Sequence, residues 1–305
     1  MISFLFRRFL QSLFTLLGVL TVTFFLVRFS GDPTTLLLPV EASSEDIARF
    51  RNSLGLDQSW LVQYWKFLAS VIEGDFGISL RQRTSALGLV IERLPATLEL
   101  ALTAFILGLV LAFLIGLGTR LSNSARLRSF VMWIALARQA IPVFWFGLLL
   151  ILLFSVTLRW LPSLGRGTLA HLVLPAFTLA TYELALYLRL FNSSLASEER
   201  QDYVRTAYAK GQGRTKVIVR HMLPNALLPL VTIAGMNLGL LLGGTVVTET
   251  VFSWPGVGRL IVQSVSQRDY PVVIAGVFVV CLIFVVINLL IDLLYAWLDP
   301  RVRLA

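Results

Sequence analysis

Long apolar runs separated by short polar segments fill most of the chain. The run from Phe9 to Val27, preceded by Arg7 and Arg8, is about as long as a bilayer core requires at ~1.5 Å of rise per residue. It predicts a membrane-spanning helix with its amino terminus inside. A cleavable signal peptide would have a shorter core and a small-residue cleavage site, which Arg28-Phe29-Ser30-Gly31-Asp32-Pro33 does not offer, so this helix is read as a retained anchor. Further runs predict helices over Ala96–Thr119, Phe130–Val156, Leu169–Phe191, Ala226–Val247 and Val272–Trp297. Pro95 suits the first turn of a helix and is expected to start the second, whereas Pro142 falls inside the third, where a kink or a break is expected. The expected fold class is an all-α polytopic membrane protein with six transmembrane helices.

Residues 31–95 are mostly polar and predict a small external subdomain between helices one and two. Gly31-Asp32-Pro33 reads as a turn, and Ser43 or Ser44 as the cap of a helix with Glu45 and Asp46 in its first turn. A second helix, about Gln58 to Glu73, carries Leu61, Tyr64, Trp65, Leu68 and Ile72 on one face, which lies either on the membrane or on neighbouring helices. The segment is either a passive connector or a receiver of substrate. The chain thus divides into residues 1–30, the external 31–95, a membrane core 96–297 that includes a polar loop at 196–225, and a tail 298–305.

Composition supports this reading. With 57% hydrophobic and 14% charged residues, and a mean hydropathy of +0.80, the chain is too apolar for a soluble domain of its length. Its formal charge of +9 could suggest nucleic acid, but the cations are spread over loops rather than gathered on one surface. Counting Arg7, Arg8, Arg120, Arg126, Arg128, the seven Lys or Arg from Arg189 to Arg220, Arg301 and Arg303 gives fourteen on one side. Against them stand the four of the short opposite loops, Arg159, Arg166, Arg259 and Arg268. The positive-inside rule then puts both termini and the loop before helix five in the cytoplasm. Cys281 has no partner for a disulfide within the chain, and His171 and His221 are too few and too far apart for a metal cluster.

Several residues inside the apolar runs need an account. Arg138, just before Pro142, is expected to reach the inner headgroups, with the lining of a wet cavity as the alternative. Glu183, deep in helix four, either lines a translocation route or makes a structural hydrogen bond. Glu249 opens the phrase Glu249-Thr250-Val251-Phe252-Ser253-Trp254-Pro255-Gly256-Val257-Gly258, expected as an external turn, and is the second candidate for the route. Gly235, Gly239 and Gly243 fall at intervals of four on helix five, a stripe suited to close packing against a helix of this chain or of a partner. Glu183 and Asp292 stand alone as deep acids, and neither histidine has a recognisable Ser or Cys partner, so an intramembrane enzyme is disfavoured.

The island Tyr203 to Pro224 carries Arg205, Lys210, Arg214, Lys216 and Arg220 and no acid. Gly211 and Gly213 are expected to end a helix by taking left-handed backbone angles, and a second helix to resume until Pro224. This island resembles the cytoplasmic EAA loop of ABC-transporter permeases, with the pattern Glu-Ala-Ala, three residues, Gly, nine residues, Ile-x-Leu-Pro. Ala207, Gly211, Leu223 and Pro224 match, while Arg205, Thr206 and His221 replace Glu, Ala and Ile. The form Tyr203-Val-Arg-Thr-Ala-Tyr-Ala-Lys210-Gly211 is similar to the dipeptide, oligopeptide and nickel branch. So are Gly74-Asp75-Phe76-Gly77-Ile78-Ser79, the Glu249 to Gly258 phrase and Arg268-Asp269-Tyr270-Pro271. The resemblance implies a bacterial inner-membrane permease subunit of an ATP-driven importer, with Tyr203, Arg205, Thr206, Ala207, Lys210, Gly211, Leu223 and Pro224 in the loop that couples to an ATPase. It also implies a second homologous permease, one or two ATPase subunits that hold the ATP and magnesium, and an external solute-binding protein. Peptide is the expected substrate, with nickel or another metal chelate, glutathione or oligosaccharide as alternatives. The chain lacks the Gly-x-x-x-x-Gly-Lys-[Ser/Thr] phosphate cradle, so it is expected to bind no nucleotide and to be no enzyme. A secondary transporter, the remoter alternative, would show sequence-related halves with matching broken helices, which are not evident.

Overall fold

The computed structural model describes residues 2–29, 43–53, 55–122 and 124–298. Their order is α1 (Ile2–Phe29), α2 (Ser44–Ser53), α3 (Trp60–Ile72), α4 (Ala86–Leu121), α5 (Ala125–Ala140) and α6 (Val143–Leu150), the last continued by a π-helical stretch, Ile151–Thr157. Then follow α7 (Leu169–Glu198), α8 (Asp202–Ala209), α9 (Arg214–Val217), a π-helical turn Ile218–Met222, α10 (Leu223–Val251), α11 (Val257–Ser266) and α12 (Tyr270–Leu298). Among the described residues five helices are long and apolar enough to cross a membrane, and there are six spans if α5 and α6 with its π continuation count as one. The chain is an all-α polytopic membrane protein. The turn expected at Gly31-Asp32-Pro33 and the basic tail after Leu298 lie outside the described residues.

Two compact units result, Met1–Pro95 with Gly256–Val285, and Ala96–Pro255 with Val286–Ala305. In the first, Ala86 and Val90 of α4, Val257 and Leu260 of α11, and Val272, Ala275 and Val279 of α12 form a core. In the second, a core built around Leu188, Phe191 and Leu195 of α7 takes in Ala112, Ala135, Val204, Ala207, Val217, Ile218, Met222, Ala226, Leu230 and Ala234. Small residues let these helices approach. Ala101, Ala104 and Ala112 of α4 are buried, while Leu102, Ile106, Val110 and Leu114 point outward, which in a membrane is where large apolar side chains are stable. Gly116 shows why: a β-carbon there would collide with the Phe191 ring.

Two expectations are corrected. Pro95 does not start its helix but lies inside α4. Ser85 caps that helix, its hydroxyl accepting from the Gly88 amide at 3.2 Å, and the burial of Ala86 and Val90 outweighs the hydrogen bond that Pro95 removes. The stretch 249–258 is not all turn: helix continues to Val251, and from Val257 the new helix α11 buries Val257, Gly258, Leu260 and Ser264 on one side. Of the kink or break expected at Pro142 the structure has the break, the two helical parts of the third apolar run meeting at 105°, because Pro142 cannot donate to Arg138 and drives Ile141 into an extended conformation (ψ 128°). The cap of α2 is Ser43, whose hydroxyl accepts from the Asp46 amide at 3.2 Å.

Candidate functional site

The island forms the expected helix, turn and helix. At the end of α8 the amide of Gly211 donates to the Tyr208 carbonyl (2.9 Å) and that of Gln212 to the Ala207 carbonyl (3.2 Å), the paired bonds of a Schellman ending. That ending needs a left-handed residue, and Gly211 supplies it with φ +74°. Gly213 does not share this role: it has φ −66° and ψ 150° as the cap of α9. Nor does Pro224 end the second helix. It sits in the first turn of α10, where its missing amide costs little because the π-helical turn has already interrupted the regular ladder.

Packing decides which side of the island faces out. Val204 and Ala207 of α8 are buried with Val217, Ile218 and Met222, while Arg205, Thr206, Lys210, Gly211 and Pro224 are exposed and Leu223 is half-buried. Tyr203, 38% exposed, donates its hydroxyl to Glu198 of α7 and accepts from Asn225 Nδ2 of α10 at 3.1 Å. Burial, and then the bond to Glu198, raise the pKa of this phenol above its ordinary value. His221 Nε2 and Gln212 Oε1 lie 2.8 Å apart. Among the described residues Arg205 pairs with the exposed Asp202, at 3.6 Å, and its guanidinium stays presented at the surface. The island therefore has an apolar root and a polar, cationic face.

Sequence reasoning missed the group that ties this island to the rest of its unit. Arg120, buried at the end of α4, pairs with Glu199 just beyond α7, and the Arg120 carbonyl accepts from Arg214 Nη2 at 3.4 Å. Arg120 had been legible only as one more topological cation.

The other candidates separate. Glu183 and Asn237 each occupy the fifteenth position of α7 and α10, and Asn237 Nδ2 donates to Glu183 Oε2 at 3.3 Å. Glu249 is fully buried and accepts from Thr97 Oγ1 at 2.7 Å. The same phrase docks Trp254 by its indole N–H on the Ala96 carbonyl at 2.8 Å. Gly235 faces Ile291, whose side chain would lie 3.6 Å from an added β-carbon, whereas Gly243 has no such neighbour within 4 Å. Gly239 is buried. Arg138 reaches no headgroup. It is buried, donating to Thr181 Oγ1 (3.1 Å), the Ile141 carbonyl (3.2 Å) and the Thr178 carbonyl (2.9 Å), with its guanidinium 3.8 Å over the Phe146 ring. In the first unit, Ser79 and Asp269, from two of the phrases that carry the resemblance, are joined by a hydrogen bond of 2.5 Å. Among the described residues no group of His, Cys, Asp and Glu could hold a metal.

Residues 104–304 match the family model for the binding-protein-dependent transport system inner membrane component, and residues 1–101 match the N-terminal model of such membrane components. The chain is 39% identical over 304 residues to the glutathione transport system permease protein GsiC of Salmonella paratyphi A, covering 99% of each. It is 40% identical over 315 residues to the oligopeptide transport system permease protein AppB of Bacillus subtilis, covering 99% of this chain and 100% of that one. To the dipeptide transport system permease protein DppB of Alkalihalophilus pseudofirmus it is 35% identical over 332 residues, at the same coverage. Among solved structures, an amino acid ABC transporter with histidines matches with a TM-score of 0.52 at 16% identity, over 70% of this chain and 94% of that one, a likeness of fold alone.

Proposed function

Because the chain belongs to the family of binding-protein-dependent transport system inner membrane components and is a permease subunit of an ABC importer, we propose that it conducts peptides handed over by an external solute-binding protein. The observation that carries the coupling half of this reading is the exposed cationic island fixed on a buried apolar root, Val204, Ala207, Val217, Ile218 and Met222. A load applied to Arg205, Lys210 or Gly211 is passed straight to α7 and α10. We assign that face to the groove of a separate ATPase subunit, which holds the ATP and magnesium. The fourteen-to-four cation count supports an island and both termini on the cytoplasmic side of a bacterial inner membrane. A second homologous permease completes the route, and Gly243, open on the surface of α10, is assigned to that contact with Gly239 and Gly235 behind it. Glu183 with Asn237 is assigned to the wall of the route, half-way along both helices.

Peptide is favoured because the oligopeptide and dipeptide permeases match over the full length; the glutathione permease, matching equally well, keeps glutathione as the second reading. The test is uptake into proteoliposomes that hold this permease with its partner permease, ATPases and binding protein. ATP-dependent accumulation of labelled di- and oligopeptides is expected. Accumulation of glutathione or nickel without peptide would move the substrate assignment and leave the importer intact.

A further inference from the structure

We infer that α3 is embedded in the bilayer leaflet reached by the C-terminal end of α1, with Leu61, Trp65 and Ile72 against acyl chains, rather than standing in water as part of an external subdomain. Its depth follows from α1. The apolar span of α1 is Phe6–Phe29, 24 residues, while a hydrocarbon core of about 30 Å takes about 20 helical residues. Wherever such a window is set within that span, residues 10–25 lie inside it. Thr21, Phe24 and Phe25 are therefore always at hydrocarbon depth.

α3 is fastened to those residues. The Tyr64 hydroxyl and Thr21 Oγ1 share a hydrogen bond of 2.7 Å. The Phe24 ring lies 5.4 Å from Tyr64 and stacks on Phe67 at 5.2 Å, and Phe25 lies 6.3 Å from Trp60 and 6.0 Å from Tyr64. A helix joined to another at hydrocarbon depth shares that depth. At 13 residues it is too short to cross, so it must lie within one leaflet.

The polar groups of α3 are arranged as lipid requires. Gln63 is buried and donates to the Gln58 carbonyl at 2.7 Å, and Ser70 donates to its own helix at the Phe67 carbonyl, 2.9 Å away. With Tyr64 bonded to Thr21, each of these side chains is satisfied by protein rather than by water. Lys66 is the one charged residue between Trp60 and Ile72, and its flexible stem can carry the ammonium to the headgroups. The outward side is apolar: Leu61 is 71%, Trp65 66% and Ile72 87% exposed. It continues the surface of α1, where Val22 and Leu26 are 57% and 62% exposed.

The test is spin-label accessibility of the full chain in lipid vesicles. With Cys281→Ser as background, Leu61→Cys, Trp65→Cys and Ile72→Cys are each labelled with a nitroxide, and collisions with oxygen, which concentrates in lipid, are compared with those of a water-soluble nickel chelate. Oxygen collisions several-fold above nickel collisions at all three sites are expected, with the reverse at Arg81→Cys in the loop before α4. Nickel collisions dominant at positions 61, 65 and 72 would return α3 to water. Neither probe reaching them would show a protein partner on this face, and either result overturns the inference. Should a cysteine variant fail to insert, quenching by lipids brominated on their acyl chains, wild type against Trp65→Phe, reads the same depth: the quenchable signal is expected to fall in the variant, and an unchanged signal overturns the inference.

Discussion

Gly211 concentrates two demands on one residue. Its φ of +74° excludes most L side chains, yet no atom beyond its chain neighbours lies within 4 Å of a β-carbon built there. Any substitution therefore costs backbone strain of about 1–2 kcal/mol and no collision inside the chain. Gly211→Asp should lower substrate-stimulated ATP hydrolysis and transport together while the permease still inserts, and Gly211→Asn, a residue that tolerates the left-handed region, should recover part of both. ATPase activity of the reconstituted complex with and without loaded binding protein measures this; wild-type stimulation in the Asp complex would leave the loop with only a topological role. Tyr203 gives a second residue-level expectation. Burial first, and then the bond to Glu198, raise its phenol above the ordinary value, so the stability tied to the neutral form is fully present below that ordinary value and is lost as pH rises through the higher folded one. Tyr203→Phe should cost about 0.5 kcal/mol at neutral pH, the low end for a hydrogen bond because the ring is partly exposed. The difference in melting temperature from wild type should vanish only in strongly alkaline buffer.

At the scale of elements, Arg138 is the test of the broken pair α5 and α6. Its three hydrogen bonds fasten the end of α5 to Thr178 and Thr181 of α7 and satisfy the Ile141 carbonyl at the break, and its planar fork fits that spread of acceptors as an ammonium does not. Arg138→Ala should destabilise the detergent-solubilised chain by about 1–3 kcal/mol, Arg138→Lys should restore less than half, and thermal unfolding followed by tryptophan fluorescence measures both. Equal stability of all three would mean that the break does not depend on these bonds. Elements also show what could be read in advance. The apolar runs and the Schellman glycine follow from local spacing, and were legible. The helical turns before Pro95 were not, because a rule about one residue was set against burial of Ala86 and Val90 by partners about 170 to 190 positions away. Arg120 with Glu199, and Ser79 with Asp269, escaped for the same reason: a pair 79 or 190 residues apart leaves no periodic trace.

For the whole molecule, orientation is the property that the cation count argues and that labelling decides. A cysteine at Ser85, exposed ahead of α4, should react with a membrane-impermeant reagent only from the outside of intact cells, and one at Thr215, exposed in α9, only after the membrane is opened. Reaction of the Ser85 cysteine from the cytoplasmic side alone would invert the assignment.

The π-helical turn Ile218–Met222, between the island and α10, is a gear with one spare tooth. A hydrogen-bond register that slips by one residue there turns everything beyond it by about 100° about the helix axis and moves it by about 1.5 Å along that axis. Asn237, fifteen positions into α10 and bonded to Glu183, would swing away from its partner at the same stroke. A register slip there would convert a displacement of the island into rotation half-way along α10 with no helix unwound.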